Sequence, residues 1–258
     1  MEHKPTILIS NDDGITALGI QSLIEVAKEF GNIVVVAPDS PQSGQGHSIT
    51  LENPIRIDRS DIFGTDVHAY ECSGTPVDCI KIAKNLVFKE KQIDLCLSGI
   101  NHGSNASTNI LYSGTMSAAM EASIEGIPAI GFSLLDFSPD ANFSASKDVV
   151  RKIIKLALEN GLGSTKLLNV NIPKVSIEEI RGFRICRQAK GYWSEDFVKC
   201  NDPAGRPYYW LTGKYIYKDS GEDSDIWALE NNFVSIVPVM HDLTFHNAIP
   251  NLDHFNIM

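Results

Sequence analysis

The run Ile7-Leu8-Ile9, joined directly to Ser10-Asn11-Asp12-Asp13-Gly14, constrains this chain more than any other stretch. Three consecutive aliphatic residues without polar alternation read as a strand buried on both faces, which places it inside a parallel sheet covered by helices. The segment after the strand is turn chemistry: a carboxamide, two adjacent carboxylates and a glycine able to adopt unusual backbone angles. In an open α/β sheet ligands bind beyond the carboxyl ends of the strands, so the two aspartates stand where a ligand would. Neighbouring carboxylates repel each other unless a proton or a cation sits between them. Hard oxygen donors suit Mg²⁺ or Mn²⁺, whereas the sequence offers no clustered His/Cys set of the kind zinc prefers. A solvated turn accounts for Asp12 and Asp13 equally well, so the rest of the chain has to decide.

Downstream, Leu18, Ile20, Leu23, Ile24, Ala27 and Phe30 recur at helical spacing, with Gly31 placed as a C-cap. Residues 33–37 then form a second buried strand and complete a βαβ unit. The start is Rossmann-like, but the first turn lacks Gly-x-Gly-x-x-Gly. The polar loop 38–48 leaves the carboxyl end of the second strand and can fold over the same mouth, where Ser43 offers an uncharged oxygen ligand. Residues 49–58 and 67–72 alternate as a peripheral hairpin, and Thr75-Pro76 opens a helix with Val77, Ile80, Ala83 and Val87 inward. The strand over residues 93–97 ends in Ser98-Gly99-Ile100-Asn101-His102-Gly103. If it lies beside the first strand, Asn101 can reach an ion held by Asp12 and Asp13, although a turn-forming asparagine accounts for the residue as well.

Ser113-Gly114-Thr115 open a further helix that Gly126 stops; its unpaired N–H groups and positive dipole end offer a cradle for phosphate, although Ser and Thr are also ordinary N-caps that bind nothing. Next in the chain come a strand over residues 129–135 and an amphipathic helix ending near Gly161. Beyond residue 168 the texture changes. Short strands at 168–172 and 183–186, the aromatic run Pro207-Tyr208-Tyr209-Trp210-Leu211 and residues 214–217 read as β-hairpins projecting from the core, a surface that favours an oligomer, although ordinary core burial accounts for the aromatic residues equally well. An acidic N-cap around Asp223-Ser224-Asp225 starts a short helix, and residues 233–239 are the last strand.

With 258 residues and 43% hydrophobic content, the chain reads as one α/β domain over 1–258. Its core covers about 1–175 plus 226–246, with a projecting hairpin region at about 183–222. A net charge of −10 argues against binding a nucleic-acid duplex, which demands a basic stripe. No apolar run approaches the ~20 residues needed to span a bilayer, and no signal-peptide pattern opens the chain, so no membrane partner and a cytoplasmic location are expected. Five cysteines, odd in number and without Cys-x-x-Cys, read as buried free thiols.

Taken together, these residues resemble the SurE family of survival proteins. The resemblance rests on Ile9-Ser10-Asn11-Asp12-Asp13-Gly14, Ala37-Pro38-Asp39-x-x-Gln42-Ser43-Gly44, Ser73-Gly74-Thr75-Pro76-x-Asp78-Cys79, Ser98-Gly99-Ile100-Asn101-x-Gly103-x-Asn105 and Tyr112-Ser113-Gly114-Thr115. It extends to Asp202-Pro203-x-Gly205-Arg206-Pro207-Tyr208-Tyr209-Trp210-Leu211. One departure is the loop 106–111, which lacks the Leu-Gly and acidic residues common in relatives. The resemblance implies a Rossmann-like, mostly parallel sheet flanked by helices, with a C-terminal β-hairpin that exchanges between subunits to give a dimer or tetramer. It also implies a metal-dependent phosphomonoesterase acting on nucleoside 5′-monophosphates, with 3′-monophosphates as further substrates, and Asp12, Asp13, Ser43 and Asn101 as ligands of Mg²⁺ or Mn²⁺.

In that reading Asn11 positions the phosphate or the ligand shell, Ser113, Gly114 and Thr115 meet the developing charge, and His47 or His102 protonates the leaving oxygen. Two alternatives stand beside it. An aspartyl-phosphate phosphatase of the haloacid dehalogenase class would place its nucleophile at Asn11, and an amide cannot serve. A nucleotide-sensing module would bind phosphate without turnover.

Overall fold

The computed structural model describes residues 4–89, 91–219 and 221–255. In chain order its elements are β1 (Thr6–Ser10), α1 (Leu18–Ala27), β2 (Asn32–Pro38), β3 (Ile57–Ser60), β4 (His68–Cys72), α2 (Pro76–Ile82), β5 (Leu95–His102), α3 (Gly114–Ile124), β6 (Ala129–Leu134), α4 (Ser144–Asn160), β7 (Leu167–Ile172), β8 (Phe183–Ile185), β9 (Gly191–Asn201), β10 (Pro207–Tyr217), α5 (Asp225–Glu230) and β11 (Val234–Val239). Nine strands form one sheet in the order β3-β4-β2-β1-β5-β6-β7-β11-β8, while β9 and β10 pair only with each other. From β4 across to β7 all neighbours are parallel; β3 and β11 join antiparallel, and β8 lies parallel to β11.

Burial on both faces of β1 results from its uninterrupted aliphatic run. Ile7 and Ile9 pack with Ile20 and Leu23 of α1 and Val149, Val150 and Ile153 of α4. Leu8 faces the other way, into Ile80 of α2 and Met116, Ala119 and Ala122 of α3. Each such aliphatic side chain, fully withdrawn from water, contributes about 1.5–3 kcal/mol. The chain leaves β1 toward β2 on one side and later returns to β5 on the other, so β1 and β5 flank a topological switch point. No helix among the described residues is long and apolar enough to cross a membrane.

Several sequence expectations need correction. Residues 167–172 and 183–185 do not project as hairpins: β7 runs buried beside β6, and β8 closes the edge of the central sheet. The projecting region is therefore the ribbon of β9 and β10 alone, eleven residues in each strand, rather than 183–222. Of the segment 49–58 only its end is strand, as β3. The strand expected to stop at residue 97 continues through Asn101 to His102, with an irregularity between Ser98 and Asn101. Helix α1 ends at Ala27, and Gly31 caps nothing; a Cβ there would lie 2.4 Å from the Pro5 carbonyl oxygen, so close packing of chain on chain explains the glycine. All five cysteines are free thiols, four of them buried.

Candidate active site

The carboxyl ends of β1, β2 and β5 and the N-terminus of α3 converge on one cavity of about 730 Å³. Asp12, Ser43, Asn101, His102 and Ser113 all line it. Asp13 stands beside Asp12 and reaches the same wall through His102: its Oδ2 accepts the His102 backbone N–H at 3.3 Å and lies 3.1 Å from ring atom Nδ1. The side-by-side pairing of β1 with β5, Ser10 opposite Ser98, brings Asp12 and Asn101 to the same end of adjacent strands. Ser43 arrives on the loop after β2, which is tied down where the Gln42 N–H donates to the Asp12 carbonyl at 2.7 Å.

Asp12 is the most constrained member, with only 4% of its surface exposed. Its carboxylate accepts hydrogen bonds from the Thr115 hydroxyl and backbone N–H, at the positive end of α3. Those donors do not offset the cost of burial. Burial first, and the charge of Asp13 second, push the Asp12 carboxyl up from 3.8 to about 6. The Thr115 hydroxyl also lies 3.5 Å from Asn101 Oδ1, so one hydroxyl sits between two groups from different strands. Asn101 directs its Nδ2 to the carbonyls of Gly103 at 2.8 Å and His102 at 3.3 Å, which leaves its oxygen as the atom toward Thr115. Gly114 makes this closeness possible, since a Cβ there would stand 2.6 Å from the Asp12 Cβ.

The remaining candidates separate into those inside and those behind. Asn11 is 1% exposed, donates Nδ2 to the Gly14 carbonyl at 2.8 Å, and has a buried Oδ1 without a partner among the described residues. Thr115 turns its hydroxyl to Asp12, and the N–H of Met116 goes to Ser113 Oγ at 3.0 Å. At the start of α3 the Gly114 N–H has no hydrogen-bond partner among the described residues, next to the cavity-lining Ser113. His47 does not reach the cavity: its Nε2 lies 2.9 Å from Glu121 Oε2, on the flank of α3, where Glu121 also binds Lys81. Of the two histidines considered as proton donors, only His102 lines the cavity, its ring set edge-on against Phe143 at 5.0 Å.

Other lining residues escaped the sequence reading. Asn109 and Tyr112 come from the 3₁₀ turn Ser107–Leu111 and its end, Phe137 from the loop after β6, and Trp193 and Glu195 from β9. Asp225, read from sequence as part of an acidic N-cap, is instead fully buried beyond the capping Ser224. Its carboxylate accepts the N–H groups of Ser107 at 2.7 Å and Ala189 at 2.9 Å, joining the 3₁₀ turn to the base of the ribbon. Nothing local in the sequence signals these roles, because each depends on segments far apart in the chain.

The family model described as survival protein SurE matches residues 7–195. The chain belongs to the SurE family. A relative from Christiangramia forsetii, named 5′-nucleotidase SurE, is 54% identical over 257 residues, covering 99% of this chain and 98% of that one. A protein of the same name from Flavobacterium psychrophilum is 53% identical over 254 residues, 98% of each chain. The crystal structure of the SurE protein from Aquifex aeolicus superposes with a TM-score of 0.84 at 39% identity, covering 98% of this chain and all of that one. The SurE match takes in every rim residue described above, from Asp12 to Thr115, and ends inside β9.

Proposed function

We propose that the cavity between β1, β5 and α3 hydrolyses nucleoside 5′-monophosphates to nucleoside and phosphate, and 3′-monophosphates as further substrates, with a divalent cation bound. The name 5′-nucleotidase SurE, carried by relatives that match nearly the whole chain, supports the substrate class. The observation that carries the reading is the buried Asp12 beside Asp13, a carboxylate pair with no Lys or Arg among the cavity residues to neutralise it. A cation offsets the burial and the Asp13 repulsion that together raise the Asp12 pKa, and two carboxylates, the Ser43 hydroxyl and the Asn101 carboxamide oxygen are the hard donors that Mg²⁺ or Mn²⁺ prefers. When bound there, the ion supplies Lewis-acid polarisation of the phosphoryl group and a lowered pKa for the attacking water.

The protein's own groups do the rest. The Gly114 N–H, at the positive end of α3, and the Ser113 hydroxyl orient the phosphoryl oxygens and meet the charge that develops on them. Asn11 braces the turn that carries both aspartates through its bond to Gly14. Asp13 fixes the His102 ring through Nδ1, so that Nε2 can hand a proton to the departing nucleoside oxygen. The ribbon supports an oligomer, dimer or tetramer formed by hairpin exchange, since Phe197, Tyr209, Trp210 and Leu211 are 57–65% exposed in a single chain. Free cysteines fit a reducing, cytoplasmic setting.

Phosphate release from AMP and GMP with Mn²⁺ or Mg²⁺, against an EDTA control, tests the reading. Metal-dependent release is expected. Binding of AMP without release would make the protein a sensing module, and release that EDTA leaves untouched would remove the cation from the mechanism.

A further inference from the structure

The cavity is larger than a phosphate needs, and its outer half differs in chemistry from its inner half. The buried Asp12 and Ser113 make a polar inner wall with Asn101, and Ser43 stands at its mouth; the outer half carries three exposed aromatic rings, Tyr112, Phe137 and Trp193, contributed by separate segments of the fold. Trp193 is 41% exposed yet held on two sides. Its indole N–H donates to Asn109 Oδ1 at 2.8 Å, and its ring meets Tyr215 edge-on with centroids 5.5 Å apart. Tyr215 is itself anchored, its hydroxyl donating to Ser107 Oγ at 2.6 Å and lying 3.0 Å from Thr108 Oγ1. The Ser107 end of this chain is the turn that Asp225 holds from below. Phe137 lies against the backbone of Gly103, two residues beyond Asn101; a Cβ on Gly103 would come within 2.2 Å of its ring.

An indole fixed by hydrogen bonding and edge contact, with much of its surface left to solvent inside a cleft, is a preorganised stacking surface. Burial alone would have hidden it. We infer that Trp193 is the platform on which the nucleobase of the substrate stacks, with Phe137 bounding the same space and Glu195 at its edge available to accept from base N–H groups. The inference rests on the nucleotidase reading for the identity of the ligand, but the platform itself is a property of the outer half of the cleft. Stacking on an aromatic face tolerates any base because every base has a π-face, and the larger purine ring gains more than a pyrimidine. The site should therefore accept all nucleoside monophosphates, purines ahead of pyrimidines, and both ahead of ribose 5-phosphate, which has no base.

Trp193→Ala and Trp193→Phe variants of the full chain test this on two independent readouts. In turnover, the ratio of kcat/KM for AMP to kcat/KM for ribose 5-phosphate should fall about tenfold in Trp193→Ala, through KM, and recover in Trp193→Phe. In calorimetry, adenosine, which has no phosphate to hydrolyse, should bind the wild type and lose about tenfold in affinity in Trp193→Ala. An unchanged AMP to ribose 5-phosphate ratio, or equal loss on both substrates, would overturn the platform and assign Trp193 to holding the Asn109 turn. Wild-type protein that releases phosphate from nothing but binds adenosine through Trp193 would sink the hydrolase reading and leave the platform standing. Adenosine affinity that ignores Trp193 in an active enzyme would do the reverse.

Discussion

The rim that carries Asp12 and the ribbon of β9 and β10 are built on opposite principles. At the rim most polar side chains are committed: Asp12 to Thr115, Asp13 to His102, Asn101 to two carbonyls, and Asn11 through its Nδ2 to Gly14. Asp12 and Asn11 cannot move without breaking a contact in a buried setting, where the loss of one partner costs more than the bond itself is worth. Along the ribbon nearly every residue is exposed, and its two strands pair with each other over their whole length. Its backbone pairing is regular; at the base Trp193, Tyr215 and Tyr217 are tied to the body, while nearer the tip Tyr208 and Trp210 meet each other edge-on and stay 44% and 62% exposed in the single chain. A region whose stability comes from within is suited to hold charge in place. A region left incomplete by its own chain is suited to meet something else, whether a second subunit at the tip or a ligand at the base.

That contrast can be broken most decisively at Asp12. Replacing it by Ala or Asn should lower metal-dependent phosphate release on the order of 10⁴-fold, without unfolding the protein. The wild-type carboxyl titrates higher in the fold, about 6 against 3.8, so the folded state binds the extra proton and metal-free stability falls as pH rises between those values. Asp12→Asn removes that fall, and in EDTA at pH 7 it should melt no lower than wild type. A variant that unfolds instead would show the rim to be held together by the charge it holds.

Gly114→Ala probes how tightly the rim is packed. Alanine favours a helix by about 1 kcal/mol over glycine, but here its Cβ would stand 2.6 Å from the Asp12 Cβ. Destabilisation by about 2 kcal/mol and loss of most activity are expected, measured by thermal melting and turnover. A stabilised, active variant would mean that Asp12 has room the structure denies it.

A smaller effect is expected at Glu121, which is buried behind the rim between His47 and Lys81. His47 above all, then Lys81, hold its carboxyl below the ordinary value of 4.5 despite burial. Stability from such a group is present above the ordinary value and is lost as pH falls through the lowered one. Glu121→Gln should therefore cost about 1–3 kcal/mol at neutral pH, and its melting curve should converge on that of wild type below pH 4.5. A gap that persists in acid would assign the loss to shape rather than charge. The smallest effect belongs to the ribbon. Trp210→Ser should alter the stability of the folded chain by no more than about 0.5 kcal/mol, while shifting the mass measured by light scattering toward smaller species. A large drop in melting temperature at unchanged mass would show that the ribbon supports its own chain after all.

Much of the fold was legible because burial leaves a local record. The aliphatic runs at residues 7–9, 33–37 and 129–134 became central strands, and Thr75-Pro76 with Asp78 became a capping box closed on both sides. Residues 168–172 were misread as projecting because a strand buried late in the chain looks the same, in one dimension, as one that leaves the sheet. The candidate site was legible at its charged turns and silent elsewhere. His47 and His102 are indistinguishable as loop histidines, and only the packing of Glu121 against one and Asp13 against the other separates them.

By itself the sequence determined which segments must be buried, where each buried strand had to turn, and that two carboxylates would stand together at the first turn. Those are consequences of side-chain chemistry and spacing, acting over a few residues. Tertiary structure alone decided that β5 lies beside β1, that the N-terminus of α3 is aimed at Asp12, and that an indole 181 positions beyond Asp12 shares its cavity. Pairing order and close approach are set by how whole faces fit together in three dimensions. No local pattern encodes that fit, because its free energy belongs to both surfaces at once.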